Sequence, residues 1–490
     1  MNKILFITAP YHAGVVEVAG RWVPLYMVTV AGACQSAGFE CVIYDAMTKD
    51  STHDDVRNVI EATKPDVVAV STITSTSIDA IKVLKTAKQV NPQIVTIAGG
   101  IHASFMYEEI FSQNSCVDYI VVGEGEVTLV ELLRCLGQNN DPAQVAGIAY
   151  TDQRGTITKT SARPHLKSLD NMPMAWDLLD WDDYTYYILP GSRLGAVATS
   201  RGCEFGCTFC SQQKFWQRSW RGRSANDVVR EIQLLHGTYL VDVVLLTDDY
   251  PTPDRERWES ILDKLIALEL PVKLLMETRA QDIIRDKDIL HKYKAAGIIH
   301  IYVGTEGTNQ QLLDRIKKEQ SVDESIEALR LCREHGIITE TSMILGFPDD
   351  TRESLQKTIE LAKLLNPDFA HFLAIAPWPY ADIYQELEPY VEEYDYRRYN
   401  LVDPVIKPKN MTRKEIDEAI VDGYRQFYMG RFNNILEIED LFIRNYMLTA
   451  VKRMMEHSFI REKIGRLDQG MPEEMKKILA GMASSAPEKA

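Results

Sequence analysis

Ser200-Arg201-Gly202-Cys203-Glu204-Phe205-Gly206-Cys207-Thr208-Phe209-Cys210 places three of the chain's eight cysteines close together. Their C-x₃-C-x₂-C spacing supplies three thiolates, so a four-iron cluster held by Cys203, Cys207 and Cys210 keeps one iron open for another ligand. A structural zinc site would need a fourth Cys or His nearby, and none follows Cys210 at short range. A disulfide framework fits poorly too, because eight cysteines in 490 residues with no secretory leader suit a reducing cytosol, and a cytoplasmic location is expected. Cys34, Cys41, Cys116, Cys135 and Cys332 lie singly in apolar or helical stretches and are read as core thiols.

Around this motif, residues 191–400 alternate strand-like and helix-like segments. Candidate strands at 195–199, 243–247, 272–276, 300–304, 340–345 and 371–375 predict a partial (β/α)6 barrel, whose chemistry belongs at the strand carboxyl ends. Polar groups fall there: Asp248 and Asp249, Glu277 and Arg279, Glu306, Gly346, and the run Pro377-Trp378-Pro379. Such carboxylates can accept from an ammonium group, and Arg279 can grip a carboxylate bidentately. Each position alone could be a helix cap or a surface ion pair, and it is their common placement that argues for a site. His300 and His371 lie along strands and are expected to be packed rather than catalytic.

Residues 1–145 show the same alternation, with apolar runs at 4–7, 41–44, 67–70, 94–98 and 119–122. This pattern predicts a parallel sheet with helices on both faces, and ligands of such sheets bind at the carboxyl edge. Small or polar residues follow each run, among them Ser71 and Thr72, Gly99 and Gly100 with His102, and Gly123 with Glu124. Residues 146–190 read as a connector and 401–490 as a helical C-terminal region, with helices near 412–431 and 434–457 and a short one at 471–482. Its basic residues Arg444, Lys452, Arg453, Arg461, Lys463 and Arg466 are read as a solvated face, with peripheral membrane contact left open.

A formal net charge of −16 disfavours a nucleic-acid partner, which clustered Lys and Arg would serve. No apolar run reaches the ~18 residues of a transmembrane helix.

The cysteine triplet, with Phe209 before its last member, resembles the signature of the radical S-adenosylmethionine (SAM) superfamily. That resemblance implies a [4Fe-4S] cluster whose open iron chelates SAM, reductive cleavage to a 5′-deoxyadenosyl radical, and SAM contacts at Phe209, Asp248, Asp249, Arg279, Glu306 and Gly346. The amino-terminal pattern resembles the cobalamin-binding Rossmann-like domain, implying cobalamin contacts at Ser71, Thr72, Gly99, Gly100, His102, Gly123 and Glu124. The family's D-x-H-x-x-G form is absent, since His12 has Pro10 two residues before it and Val15 three after it; cobalt is therefore expected without a histidine ligand.

Segments 99–107, 210–216, 247–252, 304–306, 376–380 and 427–429 look like those of the anaerobic magnesium-protoporphyrin IX monomethyl ester oxidative cyclases. This likeness implies a magnesium-porphyrin substrate, closure of the isocyclic ring with water as the oxygen source, and a one-electron donor such as ferredoxin or flavodoxin. It also suggests Trp216, Trp378 and Tyr380 as aromatic neighbours of the porphyrin. Tyr250 stands where that family is expected to carry another acidic residue, so a cobalamin-dependent radical SAM methyltransferase with another substrate stays open. A cobalamin-binding redox sensor would leave Arg279, Glu306 and the barrel without a reason.

Overall fold

The computed structural model describes residues 2–12, 18–307, 309–429, 431–457 and 463. The expected helix at 471–482 and the basic residues Arg461 and Arg466 lie outside them.

Five parallel strands, β1 (Lys3–Ile7), β2 (Glu40–Tyr44), β3 (Val67–Ser71), β4 (Val95–Gly99) and β5 (Tyr119–Val121), build the first sheet in the order β2-β1-β3-β4-β5. Strand alternation sends Leu5 and Ile7 into the core on one face and Ile4 and Phe6 into the core on the other, so the sheet is covered on both sides. The order reverses between β1 and β3, which opens a crevice at their carboxyl ends.

The stretch read as a connector begins with two further strands, β6 (Ile148–Thr151) and β7 (Ile157–Lys159). They extend this sheet, β6 antiparallel to β5 and β7 antiparallel to β6, around a turn in which Gly155 adopts φ +79°. Runs of three and four residues carry too little alternation to be read from sequence.

The second sheet consists of β8 (Leu194–Val197), β11 (Val243–Leu246), β12 (Lys273–Thr278), β13 (Ile298–Val303), β14 (Ile338–Leu345) and β15 (Phe369–Ala374). They are all parallel and hydrogen-bonded in chain order, as a partial barrel requires. Between β8 and β11 a separate antiparallel pair, β9 (Ser200–Gly202) and β10 (Trp220–Gly222), holds the two ends of the cysteine loop.

Helices Arg413–Met429 and Leu441–His457 pack on this barrel. His300 and His371 both pair with Glu340, while Tyr446 and Tyr424 meet their other ring nitrogens at 2.8 and 3.1 Å, which makes the histidines parts of a packed polar network as expected. The C-terminal basic face is less solvated than its sequence suggests: Lys463 is buried against Asp417 and Arg453 lies 4.2 Å above the Tyr187 ring. Among the described residues no helix is long and apolar enough to cross a membrane.

Candidate active site between the two sheets

The carboxyl edge of the first sheet faces the cysteine loop across a cavity of about 600 Å³. One wall comes from Thr8, Ser71, Gly99, Gly100, Gly123 and the segment around Tyr26. The other comes from Ser200, Arg201, Phe215, Trp216, Thr247 and Asp249.

On the barrel side the cysteine loop is tied down through Asp248. This buried carboxylate accepts from the Thr199 amide at 2.9 Å, from the Thr199 hydroxyl at 2.8 Å and from the Ser200 hydroxyl. Both its oxygens are engaged, so Asp248 anchors the end of β8 and does not face a cofactor as its sequence position suggested. Asp249, one residue on, lines the cavity, and burial pushes its carboxyl up to about 6. Glu277 is solvent-accessible in the lumen, yet the surrounding protein, with Asp249 and Glu306 adding like charge, pushes its carboxyl up to about 8.

Arg279 stacks 3.5 Å above the Phe205 ring and donates from Nη2 to the carbonyls of Lys318 and Glu319 at 2.5 and 3.0 Å. Its Nε is buried without a hydrogen-bond partner. Glu306 holds a left-handed backbone, φ +60°, and pairs with the buried Lys318 ammonium at 3.1 Å. A non-glycine residue held there stores about 1–3 kcal/mol of strain, which clusters at functional sites. Gly346 needs its φ of +91°, but its amide is already donated to Asp350 at 2.9 Å. Phe209 packs in an apolar group with Phe347, Ile375 and Trp378.

The first sheet's residues divide in the same way. Ser71, Thr72, Gly99, Gly100, Gly123 and Glu124 line the cavity, whereas His102 does not. The Thr72 hydroxyl donates to the Gly99 carbonyl and accepts from the Ala103 amide, both at 2.9 Å, which bolts β3 to β4. His102 is buried at 3.2 Å from the Thr74 hydroxyl and edge-on to Tyr396, and burial pushes its imidazole down to about 4. His102 is a packing residue, a correction to its sequence reading, whereas Thr72 lines the cavity from a position fixed by its two bonds. Tyr380 joins the same packing through Thr74 at 3.0 Å, so of the three aromatics suggested for the porphyrin only Trp216 reaches the cavity. Gly100 is glycine for an internal reason: at φ +87° a Cβ would sit 2.6 Å from the Thr72 carbonyl oxygen. At Gly123 a Cβ would meet nothing within 4 Å, so its absence leaves room in the cavity itself. Glu124 is taken up by Arg201 and Arg221 at 2.7 and 3.1 Å.

Sequence reading missed Lys318 and Arg201, whose partners lie in other elements. Arg201's position two residues before Cys203 was the one available hint.

These residues fit the groups their chemistry implies. None of the three cysteines is in a disulfide, so all three thiols are available to a cluster, whose thiolates each bind a different iron. Burial raises the Cys203 thiol and pushes Cys210 up to about 12, so iron must displace their protons on binding. The glycine-lined edge leaves space for a bulky ligand, and the lumen offers both charge signs to a zwitterion.

Known proteins share this arrangement. Residues 11–133 match the B12 binding domain and residues 197–362 match the radical SAM superfamily. The chain is 36% identical over 97% of its length to the anaerobic magnesium-protoporphyrin IX monomethyl ester cyclase of Rubrivivax gelatinosus, covering 87% of that protein. It is 29% identical over 87% of its length to an uncharacterized methyltransferase of Pyrococcus horikoshii, covering 92% of it. Its fold matches the radical SAM methyltransferase TsrM of Kitasatospora setae, solved with tryptophan and a SAM analogue, with a TM-score of 0.70 at 17% identity, over 99% of this chain and 100% of that one.

Proposed function

Because this chain belongs to the B12-binding radical SAM enzymes that include the anaerobic magnesium-protoporphyrin IX monomethyl ester cyclases, we propose that it closes the isocyclic ring of a magnesium porphyrin without O₂. The observation that carries this reading is the 36% identity to the cyclase across nearly the whole chain, barrel and first sheet together.

Cys203, Cys207 and Cys210 would hold the cluster; Arg279, Glu306 with Lys318, and the Gly346 turn would surround SAM; Ser71, Gly99 and Gly123 would face cobalamin. When bound, these groups supply reductive SAM cleavage to a 5′-deoxyadenosyl radical and a one-electron couple at cobalt. The chain's own part is enclosure and proton handling. With SAM, cobalamin and porphyrin seated, the largely apolar cavity wall would leave little room for water beside a reactive radical, and the Trp216 ring offers a flat surface to a planar macrocycle. The Asp249 carboxylate, held near neutrality at the cavity wall, is placed to take a proton from the water that becomes the ketone oxygen. A ferredoxin- or flavodoxin-type donor would deliver the electrons.

The test is anaerobic turnover of substrate deuterated on the 13-propionate side chain. Deuterium should move into 5′-deoxyadenosine as the ring closes. The likeness to a methyltransferase favours one competing reading, in which the product is a methyl group heavier, S-adenosylhomocysteine accumulates and no ring forms.

A further inference from the structure

Between the first sheet and the cysteine loop lies a buried cluster of four charges that the proposed chemistry leaves without a task. Glu124 and Glu126 follow the carboxyl end of β5. Arg201 and Arg221 are direct cross-strand partners in the β9-β10 pair, and the loop strung between those strands carries all three cysteines. Arg201 sends Nη1 to Glu124 at 2.7 Å and Nη2 to Glu126 at 2.6 Å. Arg221 meets Glu124 through both Nη atoms at 3.1 Å and donates to the Leu166 carbonyl at 2.7 Å, while the Leu166 amide donates back to Glu124 at 2.7 Å. The two glutamates are more than nine-tenths buried and the arginines nearly so.

Two adjacent arginines repel unless an anion sits between them, so Glu124 is what permits the hairpin's register at this interface. The arrangement does not maximise pairing, since Glu126 Oε2 and Arg221 Nε are buried with no hydrogen-bond partner. Buried ion networks contribute little net stability against apolar packing, but their fixed bond directions specify one geometry. A forked guanidinium bridging two carboxylates is also something lysine cannot reproduce. Arg201 stands two residues before Cys203, and all of Glu124, Glu126 and Arg201 line the cavity between the sheets.

We propose that Glu124, Glu126, Arg201 and Arg221 form a positioning clamp that fixes the cysteine loop at a set separation from the carboxyl edge of the first sheet, and so fixes the iron–sulfur cluster relative to cobalamin. The clamp rests on the two-cofactor reading of the site but not on the identity of the substrate.

The test uses the full chain, reconstituted anaerobically with iron, sulfide and hydroxocobalamin and reduced until cluster and cobalt each carry an unpaired electron, with no porphyrin present. EPR then reads the magnetic interaction between them. The native protein should show one defined splitting. Glu124→Gln and Arg201→Lys should keep native iron and cobalamin content while the splitting collapses into a broad distribution. Native splitting in both fully loaded variants would overturn the clamp. So would loss of cobalamin with the cluster retained in Glu124→Gln, which would make Glu124 a cofactor contact. If Glu124→Gln does not fold, Arg201→Lys decides alone, and a native splitting there overturns the proposal. A native protein with both cofactors bound and no splitting at all would overturn the clamp together with the two-cofactor site.

Discussion

At the barrel mouth Asp249, Glu277, Arg279, Glu306 and Lys318 crowd both signs of charge into one lumen, whereas the edge of the first sheet facing them offers hydroxyls, glycine backbone and apolar side chains. Of the charged groups on that edge, Glu124 and Glu126 are turned across the interface to Arg201, and Glu124 also to Arg221. The barrel is suited to orient a small charged molecule by pairing, and the sheet edge to seat a large one by shape. The contrast explains why substitutions on the two sides should fail differently.

The largest effect is expected at the cysteines. Cys203→Ala, Cys207→Ala or Cys210→Ala should reduce bound iron from about four per chain to background, and abolish SAM cleavage, while cobalamin binding to the other wall survives; iron analysis and absorption spectra of the reconstituted variants read both.

Next comes the buried pair on the barrel side. Lys318→Met strands the Glu306 carboxylate, which costs about 3–5 kcal/mol when a buried ion pair loses one partner, and should weaken SAM binding more than tenfold. Denaturant midpoints and equilibrium dialysis with labelled SAM check it. A Lys318→Met protein of native stability and SAM affinity would remove charge pairing from the account of that wall.

On the sheet edge two glycines separate shape from strain. Gly100→Ala forces a Cβ against the Thr72 backbone at 2.6 Å, and should destabilise the first sheet and lose cobalamin as a consequence. Gly123→Ala, with open space ahead of it, pays only the left-handed backbone cost of about 1–2 kcal/mol, and should lower cobalamin affinity with little change in folding. Equal effects of the two on stability and binding would contradict this division.

The smallest expected effect is at Glu277. Its carboxyl is raised to about 8 in the fold by the surrounding protein, with Asp249 and Glu306 adding like charge, so the folded chain holds a proton that the unfolded chain gives up above its ordinary value of 4.5. Stability from this group is full below pH 4.5 and falls as pH rises toward 8. Discounted for its access to water in the lumen, Glu277→Gln should stabilise the cofactor-free protein by about 1 kcal/mol at pH 8, and by almost nothing at pH 5. Thermal unfolding at the two pH values tests the sign.

The parallel strands were legible because runs such as Val67–Ser71 are short, β-branched and closed by small residues. The cysteine loop was legible because cluster chemistry fixes its spacing. What sequence could not supply was direction. Asp248 and Asp249 are chemically identical neighbours, yet the backbone turns one into the protein and the other into the cavity. His102 follows a strand as a site residue does, but points into packing. Arg201 finds Glu124 across 77 positions, and Lys318 returns to Glu306 past the helix Gln310–Arg315; neither pairing leaves a periodic trace.

The central claim is that the cavity between these two walls is where a porphyrin side chain is oxidised and closed into a ring. The most direct measurement is mass analysis of the porphyrin product after anaerobic incubation of the fully loaded enzyme with magnesium-protoporphyrin IX monomethyl ester and SAM in H₂¹⁸O. The account calls for a ring-closed product whose new ketone carries the heavy oxygen of the solvent. A porphyrin one methyl group heavier, with an open side chain and no solvent oxygen, would contradict it.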